Sequence, residues 1–136
     1  MATYNKFQCF VEDLAEGKHN LGSNTLKVAF SDASNAPSAS ADAVLGDITT
    51  IATTNLDSVT LSVTSSSQTS GTYKLVVDDK TMTASGAVGP FQYVIIYNDT
   101  ATDDPLIAWY DYGSEVTLAS GDTFKLDFGD QLFSLA

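Results

Sequence analysis

Two neighbouring segments of this chain are apolar on both faces when they are written as strands. They are FQYVIIY (residues 91–97) and LIAWYDY (residues 106–112), and they flank the polar stretch NDTATDDP (residues 98–105). Asn, Asp and Pro supply turn conformations, so the sequence predicts a hairpin whose loop is 98–105. A strand with one solvated face alternates apolar and polar residues, and these strands do not. Both faces must therefore be covered, either within the chain or by another chain.

Regular alternation assigns these side chains to faces. In the first strand, one face carries Phe91, Tyr93, Ile95 and Tyr97, and the other carries Val94 and Ile96. In the second strand, Leu106, Ala108, Tyr110 and Tyr112 oppose Ile107 and Trp109. Most of this stretch is interpreted as core. Because Tyr and Trp are enriched at protein interfaces, the tyrosine edge is the candidate for contact with a partner.

The rest of the chain has the pattern of short strands separated by turns. Strands are predicted at 25–30, 58–64, 72–77, 81–84, 115–118, 123–128 and 131–135, with polar turns that include SSSQTSG (residues 65–71). This spacing predicts a mainly β fold, an antiparallel β-sandwich of the jelly-roll or immunoglobulin-like type. At 136 residues, one domain spanning 1–136 is expected.

The N-terminal segment has the one convincing helical period. Within residues 4–16, an apolar stripe is formed by Phe7, Phe10, Val11 and Leu14. Thr3 or Asn5 is a candidate N-cap, and Gly17 is the candidate end. Residues 1–22 are therefore predicted to be a helix followed by a turn, and the helix is a candidate to cover part of one sheet face.

A long connection follows the first predicted strand. Residues 31–57 are rich in Ser, Ala, Thr and Asp, and they are interrupted by aliphatic residues that include Val44, Leu45, Ile48 and Ile51. A connection of this length is uncommon inside a compact domain. Two interpretations stay open: a surface loop anchored by those aliphatics, or an extended arm that lies along a neighbouring subunit.

The charge balance excludes some classes of partner. Seventeen acidic residues face six lysines and no arginine, which gives a formal net charge of −11. Such a chain repels phosphate backbones and anionic bilayers, so neither nucleic acid nor a membrane is an expected partner. Residues 1–30 hold three acidic residues and three lysines, so the whole net charge lies in residues 31–136.

The residues do not form a recognisable catalytic set. His19 is the only histidine and falls in a predicted turn, where it is interpreted as a solvated or capping residue. The pairs Asp78-Asp79 and Asp103-Asp104 are interpreted as turn residues. No nucleotide, zinc or CxxC motif occurs, so no enzyme activity, cofactor or metal is predicted. Cys9, the only cysteine, is expected to be a small buried residue.

Two binding alternatives stay open at this point. Oxygen atoms of Asn98, Asp99, Asp103 and Asp104 are candidates to surround a calcium ion, although their spacing differs from an EF-hand loop. An aromatic platform of Trp109, Tyr110 and Tyr112 is a candidate for stacking sugar rings. The N-terminus lacks the pattern of a signal peptide and no apolar run is long enough to span a bilayer, so a soluble protein made in a cytoplasm is expected.

Four phrases of the chain resemble a known group of proteins. They are MATYNKFQCFVEDLAEGKHNLGSNTLKVAFSD, TSSSQTSGTYKLV, TASGAVGPFQYVIIYNDTATDDPLIAWYDYGS and TLASGDTFKLDF. Together they are similar to small structural proteins of tailed bacteriophages. The resemblance implies a capsid decoration, or cement, protein of the virion surface, synthesised in the cytoplasm of the host bacterium. The alternative is a tail-associated or receptor-binding virion protein.

The resemblance also implies the partners. They are the major capsid protein, whose lattice the chain would bind from outside, and further copies of the chain itself in a homo-oligomer, with a trimer expected. The residues predicted to form interfaces are Tyr4, Phe7, Phe10, Tyr97, Trp109, Tyr110 and Tyr112.

Overall fold

The computed structural model describes residues 2–136 and is mainly β, with 47% strand and 7% helix. The strands are β1 Thr3–Lys6, β2 Leu26–Ser31, β3 Val63–Thr69, β4 Thr72–Val77, β5 Lys80–Thr83, β6 Val88–Asn98, β7 Leu106–Leu118, β8 Thr123–Leu126 and β9 Phe133–Leu135. One α-helix, α1 Cys9–Ala15, lies near the N-terminus, and a 3₁₀ turn occupies Leu45–Asp47. The predicted mainly β fold with an N-terminal helix is confirmed.

The strands form three antiparallel sheets. The largest has the order β1-β7-β6-β2, a second has the order β3-β4-β9, and β5 pairs with β8. One face of the four-stranded sheet, here called the inner face, packs with the two smaller sheets around a shared apolar core. This arrangement is consistent with a β-sandwich, in which the inner faces of opposed sheets interdigitate.

The inner core is built from alternate residues of the strands. Val28 pairs with Ile96 across β2 and β6, and Phe30 pairs with Val94. These side chains meet others from the smaller sheets, which include Leu75, Met82 and Leu126, all at most 1% exposed. The alternation predicted for β2 is therefore correct, because its residues 26, 28 and 30 all face this core.

The opposite, outer face of the four-stranded sheet is also covered, and the cover comes from the chain itself. Ile95 and Trp109 pair across β6 and β7 and belong to a second apolar cluster. Phe7 and Ile48 are buried in this cluster, and Leu45 packs against it. The cover thus comes from two segments, the long segment 31–57 and the N-terminal segment, of which the sequence made only the N-terminal helix a candidate.

Backbone hydrogen bonds hold that long segment against the hairpin loop. The amide of Leu45 donates to the carbonyl of Asp104, and the amide of Leu106 donates to the carbonyl of Ala43, both at 3.0 Å. Asp47 stabilises the turn by accepting from the amides of Ala43 and Val44. These two amides hold the pKa of Asp47 below its usual value. In this structure residues 31–57 therefore act as the anchored surface loop.

The side chains of Phe91, Leu106 and Ile107 lie on the opposite face of the central hairpin from the one predicted for them. The reason is that the pairing of β6 with β7 has register shifts. Each shift moves the following side chains to the other face. Phe91 lies in the inner core and is separated from Tyr93, whereas Leu106 joins Trp109 on the outer face. Ile107 belongs to the inner core. The predicted strands at 106–112 and 115–118 form one strand, β7, which continues through Gly113 at a φ of 76°.

The predicted helix at 4–16 is wrong in its first half. Residues 3–6 form β1, which pairs with β7 so that Tyr4 lies opposite Tyr110. Pairing with β1 satisfies backbone N–H and C=O groups of β7 that would lack partners if residues 3–6 were helical. Consequently Phe7 enters the outer cluster, Phe10 enters the inner core, and Val11 is 54% exposed.

The two ends of α1 differ in how well they were predicted. Gln8 occupies the N-cap and makes no side-chain capping bond, so the predicted Thr3 or Asn5 cap is wrong. The predicted end at Gly17 is confirmed, because Gly17 has a φ of 81°. Its amide donates to Leu14, and the amide of Lys18 donates to Asp13, which together form a Schellman motif.

The serine-rich stretch 65–71 is mostly strand, which corrects its prediction as a turn. β3 covers residues 63–69, and only Ser70 and Gly71 form the turn, with φ values of 53° and 84°. Two residues with positive φ are typical of a tight hairpin. The predicted strand at 58–64 is wrong over its first part, where Val59 and Leu61 instead bond along β2. The predicted strand at 81–84 corresponds to β5, which pairs with β8.

Candidate functional site

Four of the seven predicted interface residues lie in the chain's own core. Phe7 is 0% exposed, Phe10 2%, Trp109 8% and Tyr97 9%. The rings of Phe7 and Trp109 are 4.6 Å apart. In the single chain these residues therefore present little surface to a partner, and their role at an interface stays a prediction.

The other three predicted interface residues are tyrosines that are partly buried. Tyr4, Tyr110 and Tyr112 pack against the inner core from β1 and β7. The rings of Tyr4 and Tyr110 meet edge to face at 5.6 Å. Burial raises the pKa of Tyr4 to about 12, so its hydroxyl stays protonated at neutral pH. Tyr4 also lines an open groove that is described below.

The aromatic platform predicted for sugar binding is not assembled. Trp109 faces the outer cluster, whereas Tyr110 packs against the inner core. Neighbouring residues of a strand point to opposite faces, which separates these two rings. A flat stacking surface that includes Trp109 is therefore absent from the described residues 2–136.

His19 is buried, which corrects its prediction as a solvated residue. It is 6% exposed, and its Nδ1 lies 3.0 Å from the amide nitrogen of Asn98, which is itself fully buried. An amide nitrogen can only donate, so Nδ1 accepts and the proton of the neutral ring lies on Nε2. Burial lowers the pKa of His19 despite the nearby Asp13 carboxylate, and Lys18 lowers it further.

Asn98 links this histidine to the hairpin loop. Its amide nitrogen also donates to Asn24 at 2.9 Å, and its oxygen accepts from the amides of Thr100 and Ala101. Every polar atom of the Asn98 side chain is thereby used in holding the loop. The hydrogen bonds of Asn98 thus order the loop and connect it to the segment that carries His19 and Asn24.

The oxygen atoms predicted for calcium do not converge. Asn98 uses its oxygen on the loop backbone, and Asp99 forms an ion pair with Lys27 at 3.0 Å. Asp103 and Asp104 have φ values of 68° and 52°, which identifies them as turn residues. Within residues 2–136, no group of three or more His, Cys, Asp or Glu side chains is arranged to hold a metal ion.

Cys9 is half-buried, and its thiol is within hydrogen-bonding distance of backbone oxygens. Its Sγ lies 3.7 Å from the carbonyl oxygen of Asp42 and 3.6 Å from that of Ala43. Burial, followed by the charge of Asp13, raises the pKa of this thiol. Because the thiolate is the reactive form, a raised pKa makes Cys9 a poor nucleophile.

An apolar groove between α1 and β9 is open to solvent. This α1–β9 groove has a volume of about 510 Å³, and it is lined by Tyr4, Lys6, Phe10, Val11, Leu14 and residues 131–135. Val11 is 54% exposed and Leu135 is 43% exposed, and they are the large apolar residues that this structure leaves most open to solvent. Both lie in the same groove, which is unusual for scattered surface residues.

A second hollow adjoins the α1–β9 groove and shares two of its residues. It has a volume of about 560 Å³ and is lined by Leu14 and Leu135 together with His19, Ser66, Tyr73 and others. Lys6 is the one charged residue that lines either hollow, and no Asp or Glu lines them. In a chain with 17 acidic residues, this concave surface is distinct in both polarity and charge.

The sequence does not predict this groove, because its helical period places Val11 in the buried stripe of a longer helix. In the shorter α1, the buried residues are Phe10 and Asp13, and Leu14 packs against the inner core while partly buried. Val11 falls outside this side of the helix. The other wall, β9, was predicted as a strand, but its position at a sheet edge depends on pairing with β4. A local pattern does not reveal such pairing.

Comparison with protein-family models, with curated protein sequences and with solved structures finds no match for this chain. No helix among residues 2–136 has the length and apolar character needed to cross a membrane.

Proposed function

We propose that this chain is a binding protein that decorates the capsid of a tailed bacteriophage. It attaches to the outer surface of the major capsid protein lattice as a homo-oligomer, a trimer, and stabilises the head. The proposal combines the resemblance of the sequence to phage structural proteins with a single structural observation. That observation is the α1–β9 groove, where Val11 and Leu135 remain exposed next to Lys6.

The charge and the groove have complementary roles in this proposal. The net charge of −11 keeps densely coated particles apart in solution, because like-charged surfaces repel. The groove carries no carboxylate, so a partner surface can approach it without this repulsion. A protein that binds the assembled shell and not unassembled capsid protein stabilises the shell by mass action. This contribution repeats at every equivalent site of the symmetric shell.

The alternative is a tail-associated or receptor-binding virion protein, including one that binds glycans. No observation in the described structure favours it over decoration, because Trp109 is 8% exposed and packs against Phe7. Glycan recognition through this residue would require the outer cluster to open. Retention on a polysaccharide column that survives all substitutions in the α1–β9 groove would favour this alternative.

The decisive experiment is the location and number of copies in intact particles. Decoration predicts many copies spread over the shell in cryo-electron microscopy, and it predicts that purified protein binds to expanded shells lacking it. Particles with the protein should then melt at a higher temperature than particles without it. A few copies at one vertex or along the tail would contradict the proposal.

A further inference from the structure

We infer that the α1–β9 groove receives an extended strand of the partner protein, which adds to the free edge of β9 and places one carboxylate beside Lys6. The inference rests on the proposed function, since it takes the major capsid protein as the source of the strand. It goes beyond that function by naming the site, the conformation of the bound segment and its charge.

Two strands that end their sheets supply residues to the walls of the groove. β9 is one of the two edge strands of the sheet β3-β4-β9, and β1 is one of the two edge strands of the four-stranded sheet. Within residues 2–136, no other segment makes backbone hydrogen bonds with the outer edge of β9. An edge of this kind is a template for an additional strand, which supplies the missing backbone partners.

The two edges differ in how they are protected. Charged residues on an edge strand discourage pairing, and β1 carries Lys6. β9 consists of Phe133, Ser134 and Leu135, so it has no charged side chain to discourage pairing. The added strand is therefore assigned to β9, and Lys6 faces it from the opposite wall.

The groove and the adjoining hollow share Leu14 and Leu135, so together they form one continuous concave surface. An extended chain places alternate side chains on one side, which suits such a surface. Apolar residues of the strand would pack against Val11 and Leu135, which now face solvent.

Lys6 is a cation without an acidic partner within residues 2–136. Three of the six lysines, Lys18, Lys27 and Lys125, pair with carboxylates of the chain, whereas Lys6, Lys74 and Lys80 form no ion pair in the described residues. Of these three, Lys6 lines the groove. Because no carboxylate lines the groove, an acidic residue on the bound strand meets Lys6 without competition. A second copy of the chain fits the groove less well, because the free strand edge it would offer, β9, has no acidic side chain to meet Lys6.

The test measures binding of purified protein to expanded shells that lack it. Val11→Asp and Leu135→Asp should each weaken binding by at least about tenfold, since each would bury a charge against apolar side chains. Lys6→Gln should weaken it about two- to fivefold, as expected for loss of one exposed ion pair. Ala52→Asp adds the same charge at an exposed position outside the groove and should leave binding unchanged.

A cross-linking measurement identifies the occupant. A photoreactive p-benzoylphenylalanine in place of Ser134, an exposed residue of β9, should cross-link to one segment of the capsid protein on decorated shells. Mass spectrometry should find in that segment alternating apolar residues and an acidic residue. Circular dichroism and thermal unfolding of every variant exclude misfolding as the cause of lost binding.

The outcomes separate the inference from the function on which it rests. If the unmodified protein does not bind shells, the proposed function and the inference both fail. If it binds and the Val11→Asp and Leu135→Asp variants bind equally well, only the inference fails. A cross-link to a second copy of the chain, or to a helical segment of the capsid protein, would also overturn it.

Discussion

The molecule has two apolar surfaces outside its central core, and the chain covers one of them and leaves the other exposed. On the outer face of the four-stranded sheet, Ile95 and Trp109 are covered by Phe7 and by the loop residue Ile48. In the α1–β9 groove, Val11 and Leu135 remain exposed, and no segment of the described chain covers them. The difference indicates that segment 31–57 serves the fold, whereas the groove is available to a partner.

The largest expected loss of stability comes from truncating Phe7, which covers the outer face of the four-stranded sheet. Phe7→Ala should lower the free energy of unfolding by about 3–5 kcal/mol, because it leaves a cavity beside Trp109. Urea denaturation followed by fluorescence measures this directly, since Trp109 is the only tryptophan. A loss below about 1 kcal/mol would mean that the outer face is not a packed cluster, because truncating a buried Phe normally lowers the free energy of unfolding by more than this.

A smaller effect is expected for the anchor of the long loop. Ile48→Ala should cost about 2 kcal/mol, near the lower end for a buried isoleucine. The matched control is Thr50→Ala, which truncates an exposed residue two positions away and should change stability by less than about 0.5 kcal/mol. Equal effects of the two substitutions in denaturation would show that the loop is not anchored through its apolar residues.

Acid should destabilise the fold through His19, which lies next to the second hollow. Burial lowers its pKa in the folded state, so the unfolded chain binds a proton first. The free energy of unfolding should therefore fall as the pH drops below about 6.5, the usual histidine value, and level off below the lowered pKa. Asp13 and Lys18 are the charged groups beside His19, and the burial of the ring outweighs the attraction of Asp13 for the proton.

Denaturation between pH 7 and 5 checks this pH dependence. His19→Gln removes the one histidine and should abolish the fall in stability within that window. The same fall in the His19→Gln variant would assign it to other groups. Protonation also puts a donor on Nδ1, which faces the Asn98 donor, so the hairpin loop should show increased amide exchange in acid.

The smallest effect on stability is expected in the groove. Val11→Ala and Leu135→Ala should each change the free energy of unfolding by about 0.5 kcal/mol or less, because both side chains are largely exposed. Thermal unfolding measures this quantity. A cost above about 1.5 kcal/mol at either position would indicate that the groove is part of the packed core and is unavailable to a partner.

The sequence predicted those features that depend on local pattern. The alternation in β2 and β4 located these strands, and the Asn, Asp and Pro residues located the hairpin loop at 98–105. Gly17 marked the end of α1 because a positive φ favours glycine. The fold class followed from the number and spacing of such segments.

The features that the sequence did not predict depend on contacts between distant segments. β1 has a helical pattern and is a strand because it pairs with β7. The bulges between β6 and β7 moved Phe91 and Leu106 to faces that regular alternation does not give them. His19 was missed as a buried residue because its partner Asn98 is 79 positions away.

Hydrogen exchange, measured by mass spectrometry on the free protein and on decorated shells, tests the contrast between the two surfaces most directly. The account predicts that binding increases protection in residues 9–15 and 131–135, which line the groove. Protection in residues 39–48, which already cover the outer face, should stay the same. Increased protection in residues 39–48 with no change in residues 131–135 would show that the long loop meets the partner, and it would contradict the account.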